Sequence, residues 1–200
     1  MTDDRWLVVG LGNPEGEYGG TRHNIGADLV RLMAVRHHRD LERNKRIRCD
    51  AAEVTMAGSR VAMVIPLSYM NTSGGPVQQA ARWFDTDPEH VIVCHDELDV
   101  PLGGVKLKLG GGTAGHNGLK DVERALGTAD FHRVRIGVGR PPGRMAGRDF
   151  VLRRFAPKER EIVDVTLEDA ADAIALLIEQ GLEPVQNRYH AKNNDPRDIP

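Results

Sequence analysis

The sequence has only two cysteines, Cys49 and Cys94, and no CxxC pair, which excludes a disulfide framework and a zinc knuckle. Both cysteines read as small buried hydrophobes. Aromatic residues make up 4% of the chain, too few for a nucleic-acid surface built on stacked bases. No stretch approaches the roughly 18 apolar residues of a membrane-spanning helix. The start, Met1-Thr-Asp-Asp-Arg-Trp6, is acidic where a signal peptide is basic, so the chain is expected to be cytoplasmic and free of membrane association.

What is present suits a soluble globular protein: 200 residues, 40% hydrophobic and 28% charged, with glycine unusually frequent at 22. That glycine content predicts tight turns and close backbone approaches. The formal charge of −2 conceals an uneven distribution. Residues 103–160 hold 13 Lys and Arg against 5 Asp and Glu, while the rest of the chain holds 14 against 24. One basic face for a polyanion, on a molecule kept soluble by acid elsewhere, accounts for that split. Solvated surface charge accounts for it equally well.

Apolar patterning predicts alternating strands and helices. Trp6 to Gly12 and Val91 to Asp96 read as buried strands, each ending at a turn or an acid. Ala51 to Met56 and Arg60 to Ile65 flank Ala-Gly-Ser and form a predicted hairpin. Val105 to Leu109 alternates with Lys106 and Lys108 as a half-exposed strand, and Arg133 to Gly139 reads as another. Helices are predicted over Asn24 to Arg39, Pro76 to Phe84, His116 to Leu126 and Pro157 to Gln180. The last has an apolar stripe of Ile162, Val165, Ala173, Ile174, Leu177 and Ile178, and Gly181 stops it. The expected architecture is a single α/β domain over residues 1–190, with a twisted mixed, mostly parallel sheet flanked by helices, followed by a mobile polar tail at 191–200. Sites in such folds form at the carboxyl ends of strands, here Gly12-Asn13 and His95-Asp96.

Several familiar motifs fail on inspection. Gly10-Leu-Gly12-Asn-Pro-Glu15 begins like a dinucleotide fingerprint, but Glu15 replaces the third glycine and Pro14 interrupts the turn. Gly110 to Gly115 has P-loop glycine spacing, yet His116-Asn117 stand where Lys and Ser or Thr are required. There is no GxSxG elbow. Cys94 and His95 are strand neighbours and point to opposite faces, which argues against a Cys-His nucleophile. The eight histidines show no HExxH spacing, so neither metal nor cofactor is expected.

The residues left for chemistry are His23, in a turn after the first strand, and Asp96, ending another. A strand-end carboxylate accepts the Nδ1 hydrogen of a histidine, fixing its tautomer and raising its basicity, and the other nitrogen can then activate water. Taken singly, His23 reads as a helix-start residue and Asp96 as a turn former. Asn13, Asn24, Asn71 and Asn117 all lie in predicted loops, where an amide offers both donor and acceptor to a peptide or an oxyanion, or simply caps a helix.

Gly10-Leu-Gly-Asn-Pro14, Tyr18, Thr21-Arg-His-Asn24, Tyr69-Met-Asn-Thr-Ser-Gly74, His95-Asp-Glu-Leu-Asp99 and Gly110-Gly-Gly-Thr-Ala-Gly-His-Asn-Gly-Leu119 together closely resemble the bacterial-type peptidyl-tRNA hydrolases. Phe131-His-Arg-Val-Arg-Ile-Gly137 and Asn187-Arg-Tyr-His190 extend the resemblance to nearly the whole chain. It implies an esterase that cleaves a peptide, or an N-blocked amino acid, from the 3′ ribose of tRNA without metal or cofactor, acting as a monomer with no obligate protein partner. By that resemblance His23 is the general base, Asp96 stabilises its working form, and Asn13 positions water or substrate. Tyr18, Tyr69, Asn71 and Asn117 would line the substrate groove with Asn24, Met70 and His116 beside it, and Lys106, Lys108 and Arg135 would hold phosphates. Two residues depart from the family pattern: Glu15 follows Asn-Pro in place of glycine, and Ala114 replaces a glycine whose backbone would matter most at positive φ. A non-catalytic RNA-binding relative of the splicing-factor type remains the alternative, and Gly10-Leu-Gly12 alone suggests a nucleotide-dependent oxidoreductase.

Overall fold

The computed structural model describes residues 4–192, with side chains through His190. In chain order the strands are β1 (Arg5–Gly10), β2 (Glu42–Asn44), β3 (Cys49–Met56), β4 (Ser59–Pro66), β5 (Val91–Glu97), β6 (Val105–Leu109) and β7 (His132–Gly137). The helices are α1 (Glu15–Tyr18), α2 (Ile25–Arg36), α3 (Gly74–Trp83), α4 (Asn117–Leu126), α5 (Gly147–Val151), α6 (Pro157–Gln180) and α7 (Leu182–Lys192). All seven strands join one sheet in the order β2-β3-β4-β1-β5-β7-β6. No helix among the described residues is long and apolar enough to cross a membrane.

The pairings β4-β1, β1-β5 and β5-β7 are parallel, whereas β2-β3, β3-β4 and β7-β6 are antiparallel. The sheet is mixed and mostly parallel as expected: among the described residues five strands run in one direction, β3 and β6 run against them, and the antiparallel pairings fall at the two edges. Short turns explain the β2-β3-β4 edge, whereas β6 reaches β7 through α4. Ala57 and Gly58, both at positive φ, close the β3-β4 hairpin, while the parallel centre needs helical crossovers.

Strand alternation divides the core. Val8, Ile92, Cys94, Val134 and Ile136 pack against α2, α6 and α7, whereas Leu7, Val9, Val91 and Val93 pack against α3 and α4. Both cysteines are fully buried. In α6 the buried stripe runs through Val163, Thr166, Leu167, Ala170, Ile174 and Leu177. Val165, expected in that stripe, is 65% exposed, because it lies about 200° around the helix from Val163.

Gly181 ends α6, donating to the Leu177 carbonyl at 2.9 Å with φ +84°, but a further helix follows at once. This α7 extends to Lys192, into the segment expected to be a mobile tail; residues 193–200 lie outside the described residues. It covers the sheet edge: the Leu107 N–H donates to His190 Nε2 at 3.1 Å, and Gln186 Nε2 donates to the Leu107 carbonyl at 3.0 Å.

One crossing positions the functional end of the sheet. A Cβ at Gly26 would stand 2.1 Å from the Cys94 carbonyl oxygen, so the start of α2 lies directly on β5. The ladder continues through Leu11 N–H to Cys94 O at 3.1 Å and Ala27 N–H to Leu11 O at 3.0 Å. Because the obstructing atom is backbone, Gly26→Ala is expected to cost about 2–3 kcal/mol. At roughly 2–4 °C per kcal/mol for a domain of this size, calorimetry should then find the melting temperature lower by about 5–10 °C. A Tm within about 1 °C of the parent would show that the crossing yields without strain.

Candidate active site

From β1 the chain runs to β4 on one side and later to β5 on the other, so the crevice beyond the carboxyl ends of β1 and β5 is the switch point of the fold. A 3-10 turn over Arg22–Asn24 stands there, held against β5 by the Gly26 crossing. It presents His23 to Asp96, with Nδ1 2.9 Å from Oδ1, within the hydrogen-bonding range expected for such a pair. The same Asp96 oxygen meets His116 Nε2 at 2.9 Å.

The partners fix both tautomers. His116 Nδ1 accepts the Leu119 N–H at 3.3 Å as the N-cap of α4, so its proton is on Nε2 and is donated to Asp96. His23 donates from Nδ1 to the same carboxylate, which leaves its Nε2 lone pair for the cavity. Burial acts to raise the Asp96 pKa, but the two imidazoles hold it well below the usual carboxylate range. Burial acts to lower that of His23, and the charge and hydrogen bond of Asp96 together raise it above the ordinary value. The neighbouring His95 donates from Nδ1 to the Asp96 carbonyl at 2.8 Å. Burial, reinforced by His116, pushes His95 down to about 3, so it remains neutral near pH 7.

Asn13 is clamped on three sides. Its N–H donates to Asn24 Oδ1 at 2.8 Å, its carbonyl accepts from Asn24 Nδ2 at 3.0 Å, and its own Oδ1 accepts the Met70 N–H at 2.7 Å. The Asn13 amide group is thereby committed to facing the crevice as a donor. Asn24 itself is fully buried and does not line the cavity; it serves by locking Asn13.

A cavity of about 780 Å³ opens over these groups, lined by Asn13, Tyr18, His23, Tyr69, Met70, Asn71, Asp96, His116 and Asn117. Tyr18 and Tyr69 meet edge to face, with centroids 6.3 Å apart. Sequence reasoning missed part of the wall: Glu97, Leu98 and Asp99 follow Asp96, and Gly147, Arg148, Val151 and Leu152 come from α5 and its end. A five-residue helix without apolar periodicity leaves little sequence signal. Both family departures find a setting here. Glu15 opens α1 and pairs with Arg31 at 2.8 Å. Ala114 lines the cavity at φ +49°, a left-handed conformation that glycine adopts with less strain.

Lys106, Lys108 and Arg135 stand apart from the cavity, on one face of β6 and β7. Lys106 lies opposite Arg135, and Lys108 opposite the fully buried Arg133. Arg133 pairs with Glu123 and donates to the Gly112 carbonyl at 2.8 Å, tying the glycine-rich loop to the sheet. Arg135 pairs with Glu97 at 2.9 Å. Partial burial, with Arg135 and Arg133 nearby, lowers the Lys108 pKa. The excess positive charge on this face would be relieved by an anion.

Among the described residues, His23, Asp96 and His116 could also hold a metal ion, their ligand atoms lying within 4.8 Å of one another. His23 Nδ1 and His116 Nε2 both carry protons toward Asp96, so an ion there would displace both hydrogen bonds.

Comparison with known proteins agrees along nearly the whole chain. Residues 7–197 match the family model described as peptidyl-tRNA hydrolase. A peptidyl-tRNA hydrolase of Frankia alni is 55% identical over 191 residues, covering 95% of this chain and 96% of that one. One of Mycobacterium bovis is 49% identical, covering 92% and 97%. The crystal structure of peptidyl-tRNA hydrolase from Acinetobacter baumannii superposes with a TM-score of 0.85 at 32% identity, over 97% of each chain. With one sheet, one crevice and one continuous alignment in agreement, the chain belongs to the peptidyl-tRNA hydrolase family.

Proposed function

We propose that this chain hydrolyses the ester between a peptide, or an N-blocked amino acid, and the 3′ ribose of tRNA, with His23 as general base. The observation that carries the reading is the 2.9 Å contact of His23 Nδ1 with Asp96, which leaves Nε2 free toward the cavity. Nε2 takes a proton from water as that water attacks the ester carbonyl carbon, and Asp96 stabilises the imidazolium. The Asn13 amide donates to the oxygen on which negative charge develops. The imidazolium then returns its proton to the ribose 3′ oxygen as the ester bond breaks. His116 steadies the Asp96 oxygen throughout.

Tyr18, Tyr69, Met70, Asn71 and Asn117 form a mixed apolar and amide groove for the peptidyl group. Lys106, Lys108 and Arg135 lie to one side as a phosphate-binding face, which positions tRNA without reading its sequence. The reading places the protein in the cytoplasm as a monomer. A non-catalytic RNA-binding role gains no support, since the relatives carry the hydrolase name throughout.

His23→Ala should abolish turnover of N-acetylaminoacyl-tRNA, with a loss of roughly 10²-fold or more; near wild-type kcat would end the assignment. His23 must be unprotonated to act, and its pKa is raised, so the acid limb of kcat/KM should lie above pH 6.5. Asp96→Asn removes the two causes that raise that pKa and leaves burial, which lowers it. Its pH profile should show the limb displaced toward lower pH, with kcat down by roughly 10² to 10⁴. A limb that stays in place would dissociate Asp96 from the base. Lys108→Ala should raise KM more than it lowers kcat, and should reduce the slope of log KM against log salt by about 1. Equal slopes for parent and variant would remove Lys108 from the phosphate face.

A further inference from the structure

The cavity wall contributed by α5 contains a cation with no role in the reaction so far described. Among the described residues, four side chains lining the cavity are formally charged apart from the histidines: Asp96, Glu97, Asp99 and Arg148. The three acids are already matched. Asp96 accepts from two imidazoles, Glu97 pairs with Arg135 at 2.9 Å, and Asp99 pairs with Arg140 at 3.2 Å. Arg148 has only a 3.7 Å contact with its sequence neighbour Asp149, and its side chain is 88% exposed. An ion pair so open to water holds the guanidinium weakly.

The place of Arg148 relative to the base is set by the fold. Phe150, two residues on, lies under the Arg22 guanidinium at 4.3 Å, and Phe155 lies on it at 4.6 Å. Arg22 Nη2 donates to both Glu159 oxygens, at 3.0 and 2.8 Å, and Nη1 donates to the Val138 carbonyl at 3.2 Å. Arg22 immediately precedes His23, and its N–H donates to the Arg153 carbonyl at 3.0 Å. The wall that carries Arg148 and the turn that carries the base are thus one packed unit.

We propose that Arg148 binds the phosphodiester on the 5′ side of the terminal nucleoside, the one whose ribose bears the scissile ester. This inference rests on the hydrolase reading above. In any such substrate a phosphate stands one sugar away from the reacting carbonyl, whatever the rest of the tRNA. With the three acids occupied by their own partners, none of the cations that hold them is left for a phosphate, and Arg148 is the sole Lys or Arg lining the cavity among the described residues. A guanidinium also fits the phosphate oxygens with two parallel hydrogen bonds. Lys106, Lys108 and Arg135 lie outside the cavity and are left to phosphates farther along the acceptor stem.

The test compares wild type with Arg148→Ala and Arg148→Lys on two short esters, 3′-O-(N-acetylaminoacyl)adenosine and the same compound carrying a 5′-phosphate. Wild type should prefer the phosphorylated ester by about tenfold in kcat/KM. In Arg148→Ala that preference should fall to about one, with Arg148→Lys between. On N-acetylaminoacyl-tRNA, Arg148→Ala should raise KM about tenfold, with the smaller effect on kcat. A phosphate preference that survives Arg148→Ala overturns the proposal, as does an equal loss on both esters. Where the short esters turn over too slowly to compare, the KM on N-acetylaminoacyl-tRNA decides, and an unaltered KM overturns it. A wild type that cleaves none of these substrates defeats the hydrolase reading instead.

Discussion

An ionised carboxylate with only 3% of its side chain exposed is stable only while hydrogen-bond donors surround it. Asp96 meets that condition by drawing two imidazoles to one oxygen, one from the turn after β1 and one from the start of α4. The arrangement constrains everything nearby. His116 can serve only because Leu119 N–H fixes its other nitrogen, and His23 can serve only because α2 begins on top of β5. The carboxylate therefore organises the crevice as well as fixing the tautomer of His23. Its desolvation, unfavourable alone, is offset by the pair of donors that also hold the two rings in place.

The same logic of mutual restraint governs Asn13. Amides are ambiguous ligands, able to present either end, and the Met70 N–H removes the ambiguity by taking the oxygen. Asn24 spends both of its polar atoms on the Asn13 backbone. Two asparagines that look equivalent in the sequence thus divide into one that faces the cavity and one that holds it there.

The central strands were legible because short continuous apolar runs bounded by turns, such as Val91 to Asp96, have few other readings. The alternation of Lys106 and Lys108 with Val105 and Leu107 likewise announced a strand with one dry face, as found. Polar β2 carries no such signal, since Glu42, Arg43 and Asn44 are ordered by pairing with β3 alone. Helix α7 was hidden behind Gly181, a stop that also permits an immediate restart. In the crevice, His23 and Asp96 were identifiable by residue type and position, and the family likeness supplied the cavity-lining tyrosines and asparagines. The sharing of one carboxylate oxygen between two histidines was not legible, because it depends on residues 23, 96 and 116 converging from three separate elements. Nor could the sequence distinguish cations already matched, such as Arg133 and Arg135, from those with charge to spare.

Glu159 holds two posts at once: its carboxylate grips Arg22, and one of its oxygens accepts the Ala156 N–H where α6 begins. Swinging the far side of the cleft outward would therefore unseat a buried guanidinium from two rings and, in the same motion, fray the first turn of the longest helix. The crevice is better described as a mould than as a jaw. A guest entering it loses freedom of its own, while the backbone of the host has little left to lose, so part of the difference between a good ester and a poor one is settled by shape that exists before they meet.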